Sequence, residues 1–216
     1  MAYQIRKGKL AVISGFSGAG KGTLVKELMK KHDNYVLSVS MTTRKPREGE
    51  VNGEHYFFAT NEEFEAAIRD GALLEYAGYV DHYYGTPAAF VESQLEAGKN
   101  VLLEIEVQGA MQIKKLKPDT IMIFVITPGA DELFRRLTGR GTDDRETVLK
   151  RLRQALVEAE EISKYDYILV NDDLEKSTDE LDKIIQTQPD SYHYNSKMMQ
   201  NFVRDLRCVI EDCQNR

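Results

Sequence analysis

The feature that most constrains the fold of this chain is a glycine-rich segment, which reads GFSGAGKGT from Gly15 to Thr23. The spacing of Gly15, Gly20 and Lys21 lets backbone N–H groups turn inward around phosphate oxygens, and Lys21 adds a movable cation. An apolar run, Leu10–Ile13, precedes the segment and a helix-forming run follows it, as such a site requires. This context disfavours the alternative, a glycine-rich turn with a solvated lysine. We therefore predict a nucleoside triphosphate site formed by Gly15, Phe16, Ser17, Gly18, Ala19, Gly20, Lys21, Gly22 and Thr23, here called the phosphate loop.

One position of the phosphate loop departs from the usual motif. Gly22 stands where a serine or threonine hydroxyl normally meets Mg²⁺, and Thr23 comes one place later. The ending Gly-Lys-Gly-Thr resembles that of nucleoside monophosphate kinases such as adenylate kinase, in which phosphates and water supply more of the metal's coordination. Glu104 closes an apolar strand, where a carboxylate can orient metal-bound water. The sequence thus predicts no certain protein ligand for Mg²⁺, only water-mediated binding near Thr23 and Glu104.

Composition sets the broad class of the protein. The 216 residues are 42% hydrophobic and 30% charged, which is typical of a soluble globular domain. A net charge of −6 argues against a broad nucleic-acid-binding surface. No apolar stretch has the length of a signal peptide or a membrane span, so we expect a cytoplasmic protein without a membrane partner. The two cysteines, Cys208 and Cys213, are too few for a disulfide framework and predict reduced thiols.

Apolar, β-branched runs alternate with helical patterns along most of the chain. This alternation is typical of a parallel sheet covered by helices on both faces, and it predicts a three-layer α/β architecture. The predicted strands are Leu10–Ile13, Tyr35–Val39, Val101–Ile105, Thr120–Ile126 and Tyr167–Val170. The predicted helices of this pattern are Thr23–Lys31, Pro87–Ala97, Ala110–Lys115, Ala130–Leu137, Glu146–Ser163 and Leu174–Ile185.

Three stretches interrupt the alternation. Residues 40–85 carry charged turns, short aromatic strands and one helix, Glu62–Asp70, and they predict an inserted substrate lobe. A polar, glycine-containing loop lies within residues 136–150 and suits a moving lid. Residues 189–216 predict a linker and an amphipathic C-terminal helix. The predicted division is a domain over 1–188, with a core at 1–39 and 86–188, followed by the extension 189–216.

Two arginines in the inserted lobe are suited to binding a phosphate group. Arg44 and Arg47 lie three apart around Pro46, which stiffens the loop and aims their guanidinium groups. Taken alone, this segment fits a solvated basic turn equally well. Later segments decide between these interpretations.

The motifs of this chain, taken together, resemble those of the guanylate kinase family over residues 9 to about 186. They are Ser40, Thr42-Thr43-Arg44, Arg47, Glu50-Val51-Asn52-Gly53, Tyr56, Leu74-Glu75-Tyr76-Ala77, Tyr83-Tyr84-Gly85-Thr86, Leu103-Glu104-Ile105-Glu106-Val107-Gln108-Gly109, Arg136-Leu137-x-Gly139-Arg140-Gly141-Thr142 and Val170-Asn171-Asp172-Asp173.

The resemblance implies a P-loop nucleoside monophosphate kinase fold with an inserted GMP-binding lobe and a lid, and ATP-dependent phosphorylation of GMP or dGMP. It implies that Arg44 and Arg47 grip the GMP phosphate with help from Tyr56 and Tyr84. Glu106 stands at a position usually held by aspartate on the guanine side. The implied GMP-binding residues are Ser40, Arg44, Arg47, Glu50, Tyr56, Glu75, Tyr84, Thr86 and Glu106.

Physical chemistry supports Glu75 as a reader of guanine without reference to the family. Guanine presents two adjacent donors, N1–H and the exocyclic amine, which one carboxylate can accept together. Adenine presents an acceptor at N1, so the same carboxylate would face a lone pair and lose about 1 to 3 kcal/mol. Without the surrounding motifs, an exposed strand carboxylate beside Tyr76 would be the simpler interpretation of Glu75.

The expected reaction is electrostatic in character. The second phosphate pKa of GMP is about 6, so the nucleophile is already ionised at neutral pH and needs no general base. Cations must instead hold donor and acceptor in line and neutralise the transferred phosphoryl group. The resemblance implies lid arginines at 136, 140 and 151 and places Asn171 at the adenine pocket. The predicted catalytic residues are Lys21, Arg47, Arg136, Arg140 and Arg151.

The sequence therefore predicts a guanylate kinase that uses ATP and Mg²⁺ and works as a monomer or homodimer on small molecules, without nucleic acid. Two alternatives stay open at this point. One is a kinase of another nucleoside or ribose phosphate, which would be favoured if Glu75 and Ser40 lay far from the base. The other is a non-catalytic guanylate-kinase-like binding module, which would leave Lys21 and the predicted phosphate-binding arginines unexplained.

Overall fold

The structure is a computed structural model and describes residues 7–79, 81–139, 144–188 and 195–215. The strands within these ranges are β1 (Leu10–Gly15), β2 (Tyr35–Leu37), β3 (Met41–Thr42), β4 (Phe57–Phe58), β5 (Leu73–Tyr79), β6 (His82–Pro87), β7 (Asn100–Glu104), β8 (Ile121–Ile126) and β9 (Tyr167–Val170). The helices are α1 (Lys21–Lys31), α2 (Asn61–Arg69), α3 (Ala88–Glu96), α4 (Val107–Leu116), α5 (Ala130–Thr138), α6 (Arg145–Glu161), α7 (Leu174–Thr187) and α8 (Ser196–Asn215), with a short 3₁₀ helix at Ile162–Lys164.

The strands form two sheets. The larger sheet has the order β2-β7-β1-β8-β9, and its pairs β2/β7 and β8/β9 are parallel. The smaller sheet has the order β4-β3-β6-β5, in which β6 runs antiparallel to both β3 and β5. Because a parallel sheet covered on both faces has no solvent face, its central strands read as continuous apolar runs. All six residues of β1 and all six of β8 are buried, as this rule requires.

The chain divides into two compact units. The first unit contains residues 1–12 and 32–120, and the second contains residues 13–31 and 121–216. In the first unit the smaller sheet is flanked by α2, whose N-terminus carries a capping box between Thr60 and Glu63. Phe64 of α2 is fully buried and stacks on Tyr83 of β6 with ring centroids 5.4 Å apart.

The second unit has an aromatic core. Phe16, Phe124 and Tyr165 form two edge-to-face contacts, each with ring centroids 5.1 Å apart. Phe16 also stacks on Phe202 of α8, with a centroid distance of 5.2 Å and an interplanar angle of 16°. Such aromatic pairs contribute about 0.5 to 1.5 kcal/mol each beyond their burial. The C-terminal helix is therefore packed into the same core as the phosphate loop.

The prediction of an α/β fold with a parallel core sheet is confirmed. Every predicted strand and helix is present, and the differences concern their ends. The helix predicted from Ala110 begins three residues earlier, at Val107, with Glu106 at its N-cap position. The predicted tail helix extends over Ser196–Asn215, beyond the apolar stripe that indicated it.

Three further predictions concern the linker, membrane-spanning segments and the cysteines. Residues 189–194, most of the predicted linker, lie outside the described residues. Within the described ranges, no helix combines the length and the apolar character that crossing a membrane requires. Cys208 is exposed and Cys213 is buried, and both are free thiols.

Candidate nucleotide sites

The phosphate loop joins β1 to α1 in the second unit. Gly15 has φ 153° and Gly20 has φ 88°, conformations that side chains rarely adopt. A Cβ at Gly15 would lie 2.2 Å from the carbonyl oxygen of Val125, and one at Gly20 would lie 2.5 Å from Asn171 Nδ2. Both glycines are thus needed for the loop's conformation and for its close packing on neighbouring elements.

Lys21 folds its side chain back over the phosphate loop. Its Nζ donates to the carbonyl oxygens of Gly15 at 2.5 Å and of Phe16 at 3.3 Å. A phosphate oxygen is a stronger acceptor than a neutral carbonyl because it carries charge. The ammonium group is therefore placed where a nucleotide phosphate can take over these hydrogen bonds.

Arg136 and Asn171 brace the phosphate loop within the second unit. The guanidinium of Arg136 donates to the carbonyl oxygens of Asn171 at 2.8 Å and of Ala19 at 3.4 Å. The side-chain amide of Asn171 donates to the same Ala19 carbonyl at 2.7 Å. The Nε of Arg136 donates to Glu132 at 2.7 Å, which orients its guanidinium plane. One arginine of the predicted lid set is thus held against the predicted ATP site.

The other two predicted lid arginines differ in what the structure describes. Arg151 of α6 donates to the hydroxyl of Ser17 at 3.2 Å, so it also reaches the phosphate loop. Arg140 lies outside the described residues. Arg135, the neighbour of Arg136 in α5, pairs with Glu132 at 2.6 Å. Hydrogen bonds from Arg135 and then Arg136 lower the pKa of Glu132 to about 2.

The described part of the chain does not form a metal cage of its own. Among the described residues, no group of three histidine, cysteine, aspartate or glutamate side chains could hold a metal ion. Thr23 is exposed on the first turn of α1, and Glu104 is exposed at the end of β7 in the other unit. Mg²⁺ commonly keeps several waters and binds through substrate phosphates. A magnesium ion that arrives with a nucleotide therefore needs no such cage from the described residues.

A second candidate site lies wholly within the first unit. It is a cavity of about 280 Å³, close to the lower limit of about 300 Å³ for small-molecule sites. We call it the carboxylate cavity because three of its lining residues are glutamates. The lining residues are Ser40, Tyr56, Glu75, Ala77, Tyr84, Glu104, Ile105, Glu106 and Gly109.

Glu75 is the buried acid of this cavity, with a relative exposure of 5%. Its Oε1 accepts a 2.6 Å hydrogen bond from the hydroxyl of Thr86, which is fully buried on the neighbouring strand β6. Burial raises the pKa of Glu75, and the hydrogen bond from Thr86 opposes this shift. The cavity thus offers one desolvated carboxylate, held by a partner, to a ligand that can donate hydrogen bonds.

Arg44 is fixed in the neighbouring loop by Glu50. The two side chains form a bidentate pair with distances of 2.8 and 2.9 Å. Arg44 also lies over the ring of Tyr56, 5.2 Å from its centroid. The bonds from Arg44 and from the backbone N–H of Arg47 lower the pKa of Glu50 to about 2. Glu50, predicted as a GMP-binding residue, is placed to orient Arg44.

The structure brings most of the predicted GMP residues together. Ser40, Tyr56, Glu75, Tyr84 and Glu106 line one cavity, Thr86 bonds to Glu75, and Arg44 lies on Tyr56. The side chain of Arg47 is exposed, and its backbone N–H donates to Glu50 at 2.7 Å. Their roles toward a ligand remain predictions.

Three residues to which the sequence analysis gave no role stand beside these sites. Gly109 packs against Glu75, Gln112 bonds to the backbone next to Glu75, and Phe202 stacks under the phosphate loop. A glycine in the first turn of a helix is a detectable signal, because it costs helix stability and requires a packing reason. Gln112 and Phe202 carry no such signal, since their partners are 36 and 186 residues away in the sequence.

Comparison with known proteins assigns the family. The sequence model described as guanylate kinase matches residues 7–188. The chain belongs to the guanylate kinase family. A guanylate kinase of Clostridioides difficile is 46% identical over 203 residues, which cover 94% of this chain and 99% of that protein. One of Oceanobacillus iheyensis is 50% identical over 182 residues, covering 84% and 88% of the two chains.

A solved structure of the guanylate kinase family agrees with this assignment. The crystal structure of guanylate kinase from Anaplasma phagocytophilum matches with a TM-score of 0.67 and 31% identity. The match covers 85% of this chain and 87% of that chain. The α/β fold described above is therefore that of a guanylate kinase.

Proposed function

We propose that this chain is a guanylate kinase, which transfers the γ-phosphoryl group of ATP to GMP or dGMP to give ADP and GDP. The observation that carries the proposal is the buried carboxylate of Glu75 in a cavity of the first unit, held by Thr86. The family membership and the phosphate loop of the second unit support it.

Glu75 is the group that selects guanine. A carboxylate can accept hydrogen bonds from both N1–H and the exocyclic amine of guanine. Burial strengthens these hydrogen bonds because water does not compete for the carboxylate. Ser40 and Tyr84 line the same cavity and provide hydroxyl groups that both donate and accept. Glu106, exposed at the cavity, lies at the start of α4 and acts on the guanine side.

The phosphate of GMP is bound by the arginines of the inserted lobe. Arg44 is preoriented by Glu50 and Tyr56, so little side-chain entropy is lost when it binds. Arg47 is exposed and free to turn toward the ligand. Tyr56 and Tyr84, with ring centroids 6.1 Å apart, add phenol hydrogen bonds.

ATP is bound by the phosphate loop, whose residues 15–23 cradle the polyphosphate. Lys21 exchanges its carbonyl partners for phosphate oxygens, while Arg136 and Arg151 already contact the loop. Asn171 frames the adenine side and holds Ala19 in place. Arg140 completes this cationic set.

The chemical step needs positive charge and alignment rather than a proton acceptor. The GMP phosphate is largely ionised at neutral pH, so it attacks the γ-phosphorus directly and in line. Lys21, Arg47, Arg136, Arg140 and Arg151 neutralise the charge that spreads over the transferred group, and one such arginine is worth about 10³ to 10⁵ in rate. Mg²⁺ arriving with ATP would supply further charge neutralisation, and the exposed Thr23 of the second unit would reach it through water.

The setting of the enzyme follows from its chemistry. Its free thiols, one exposed and one buried, fit a reducing compartment, and we propose that it works in the cytoplasm. Its partners are its small-molecule substrates, and it is a monomer or a homodimer.

The test is ATP-dependent diphosphate formation with GMP, AMP, dTMP and UMP in parallel, with Mg²⁺ present and absent. We expect strong preference for GMP and dependence on Mg²⁺. Lys21→Met should abolish transfer, whereas Lys26→Met, which alters an exposed lysine of the same helix, should not. Transfer to another acceptor would support a kinase but refute the assignment of guanine as its base. Binding of ATP without transfer to any acceptor would refute the proposal that this chain is an enzyme.

A further inference from the structure

Gln112 pairs with the backbone of the strand that carries Glu75. Its Nε2 donates to the carbonyl oxygen of Tyr76 at 2.8 Å, and its Oε1 accepts from the N–H of Tyr76 at 3.2 Å. Strand β5 lies at the edge of its sheet, with β6 on its other side. The amide of Gln112 therefore supplies the pair of hydrogen bonds that a further strand would give.

Gly109 makes room for the carboxylate itself. A Cβ at this position would lie 2.3 Å from Oε2 and 2.9 Å from Cδ of Glu75. The first turn of α4 thus touches Glu75 on the side opposite to its bond with Thr86, which uses Oε1. Any larger residue at 109 would have to displace the carboxylate.

Gly109 and Gln112 are three residues apart in α4 and so lie on one face of the helix. Gln112 fixes the backbone beside Glu75. Gly109 leaves the space into which the side chain of Glu75 extends. Thr86 holds one carboxylate oxygen, so the position of the other depends on α4. Glu75 and Tyr76 are consecutive residues of β5, so a shift of the Tyr76 backbone along the strand would move Glu75 as well.

We propose that Gly109 and Gln112 are positioning residues for guanine specificity, which hold the Glu75 carboxylate where it accepts both donors of the base. The inference rests on the proposed function and adds two residues that increase the preference for guanine over other bases. Neither residue needs to touch the reacting phosphates.

The 2-amino group of the base gives a direct readout. IMP has N1–H but lacks the exocyclic amine, so it needs one correctly placed carboxylate oxygen instead of two. A displaced Glu75 should therefore lose more with GMP than with IMP. Loss of stability alone would lower both activities by the same factor.

The experiment compares kcat/KM for GMP and IMP, and KM for ATP, in wild type and three variants. Gln112→Met removes both hydrogen bonds to Tyr76 at nearly constant length, and Gly109→Ala adds the methyl group that meets Glu75. Gln108→Met is the matched control, because Gln108 is an exposed residue of the same helix. Thermal unfolding identifies any variant that does not fold. If Gly109→Ala does not fold, the inference is tested with Gln112→Met alone.

We expect the ratio of kcat/KM for GMP to that for IMP to fall about tenfold in Gln112→Met and Gly109→Ala, which corresponds to one lost hydrogen bond. KM for ATP and the behaviour of Gln108→Met should stay at wild-type values. An unchanged ratio in folded Gln112→Met would overturn the inference. If wild type itself did not phosphorylate GMP, the proposed function would fail before this comparison was made.

Discussion

Burial sets the chemical behaviour of Glu75, the residue that we propose recognises the base. Its carboxylate is 5% exposed and has a hydroxyl partner in Thr86. A buried acceptor discriminates strongly because a ligand that fails to donate leaves it unsatisfied, at a cost of about 1 to 3 kcal/mol. The selectivity proposed for this site would therefore arise from desolvation as much as from attraction.

Exchange of one oxygen for an amide tests this interpretation of Glu75. In Glu75→Gln the NH₂ group faces a donor of guanine, so we expect kcat/KM for GMP to fall about 10- to 100-fold, from a lost charged hydrogen bond of about 1.5 to 3 kcal/mol. KM for ATP should not change. The measurement is steady-state kinetics with GMP and AMP, and an equal loss of both activities would contradict the prediction.

The raised pKa of Glu75 also predicts how stability depends on pH. The native state keeps the proton to a higher pH than the unfolded chain, whose glutamate pKa is about 4.3. As pH rises from the unfolded pKa through the raised one, the unfolded state binds fewer protons than the native state, so stability falls.

Thermal unfolding of wild type and Glu75→Gln from about pH 4 to pH 7 measures this effect, because the variant lacks the titrating group. The difference in Tm should shift in favour of Glu75→Gln as pH rises. Glu104 and Glu106 line the same cavity in both proteins, so the comparison changes only one of its three carboxylates. A constant difference in Tm would show that Glu75 is not perturbed.

Among the elements, α8 has a role that its position after the matched family region does not suggest. Phe202 stacks on Phe16 of the phosphate loop, and Arg145 at the start of α6 donates to the carbonyl of Cys213 near the end of α8. The helix thus contacts both the phosphate loop and the helix that carries Arg151.

Removal of the Phe202 ring should weaken both stability and ATP binding. Phe202→Ala is expected to cost about 3 to 5 kcal/mol of unfolding free energy, as for other buried phenylalanines. Because the underside of the phosphate loop loses its support, KM for ATP should rise while KM for GMP stays constant. Arg207→Ala, at an exposed position of α8, is the control. If the two KM values rose together, the effect of Phe202 would not be specific to the loop.

The elements also show where sequence reasoning succeeds and where it stops. The buried strands β1 and β8 can be predicted from the sequence, because a parallel strand covered on both faces is a continuous run of apolar residues. The hydrogen bond from Gln112 to Tyr76 cannot be predicted from the sequence, because it depends on tertiary packing between residues that have no periodic relation. The pairing of Glu50 with Arg44, rather than with a ligand, likewise follows from loop geometry and not from spacing.

At the scale of the molecule, each unit carries the candidate site for one substrate. The carboxylate cavity belongs to the first unit, and the phosphate loop with Arg136, Arg151 and Asn171 belongs to the second. Family motifs in the sequence predicted both residue sets. They did not predict this division, because a boundary inside β1 follows from the packing of the whole chain.

Hydrogen exchange with single ligands should reveal the division. GMP alone is expected to slow exchange of backbone amides around β3, β5 and β6, and ADP alone to slow exchange in residues 15–23. Mass spectrometry of peptides from both units makes the measurement, with AMP in place of GMP as the control. Protection of the phosphate loop by GMP alone would contradict this assignment of the sites.

The stacking of Phe202 beneath Phe16 also has a consequence for synthesis on the ribosome. Phe16 is translated 186 residues before Phe202, its ring partner in α8. Although domains often begin folding from the N-terminal side during synthesis, the loop can acquire this contact only after α8 has left the ribosome. Until then the ring of Phe16 lacks its stacked neighbour, and the phosphate loop lacks the support that Phe202 provides.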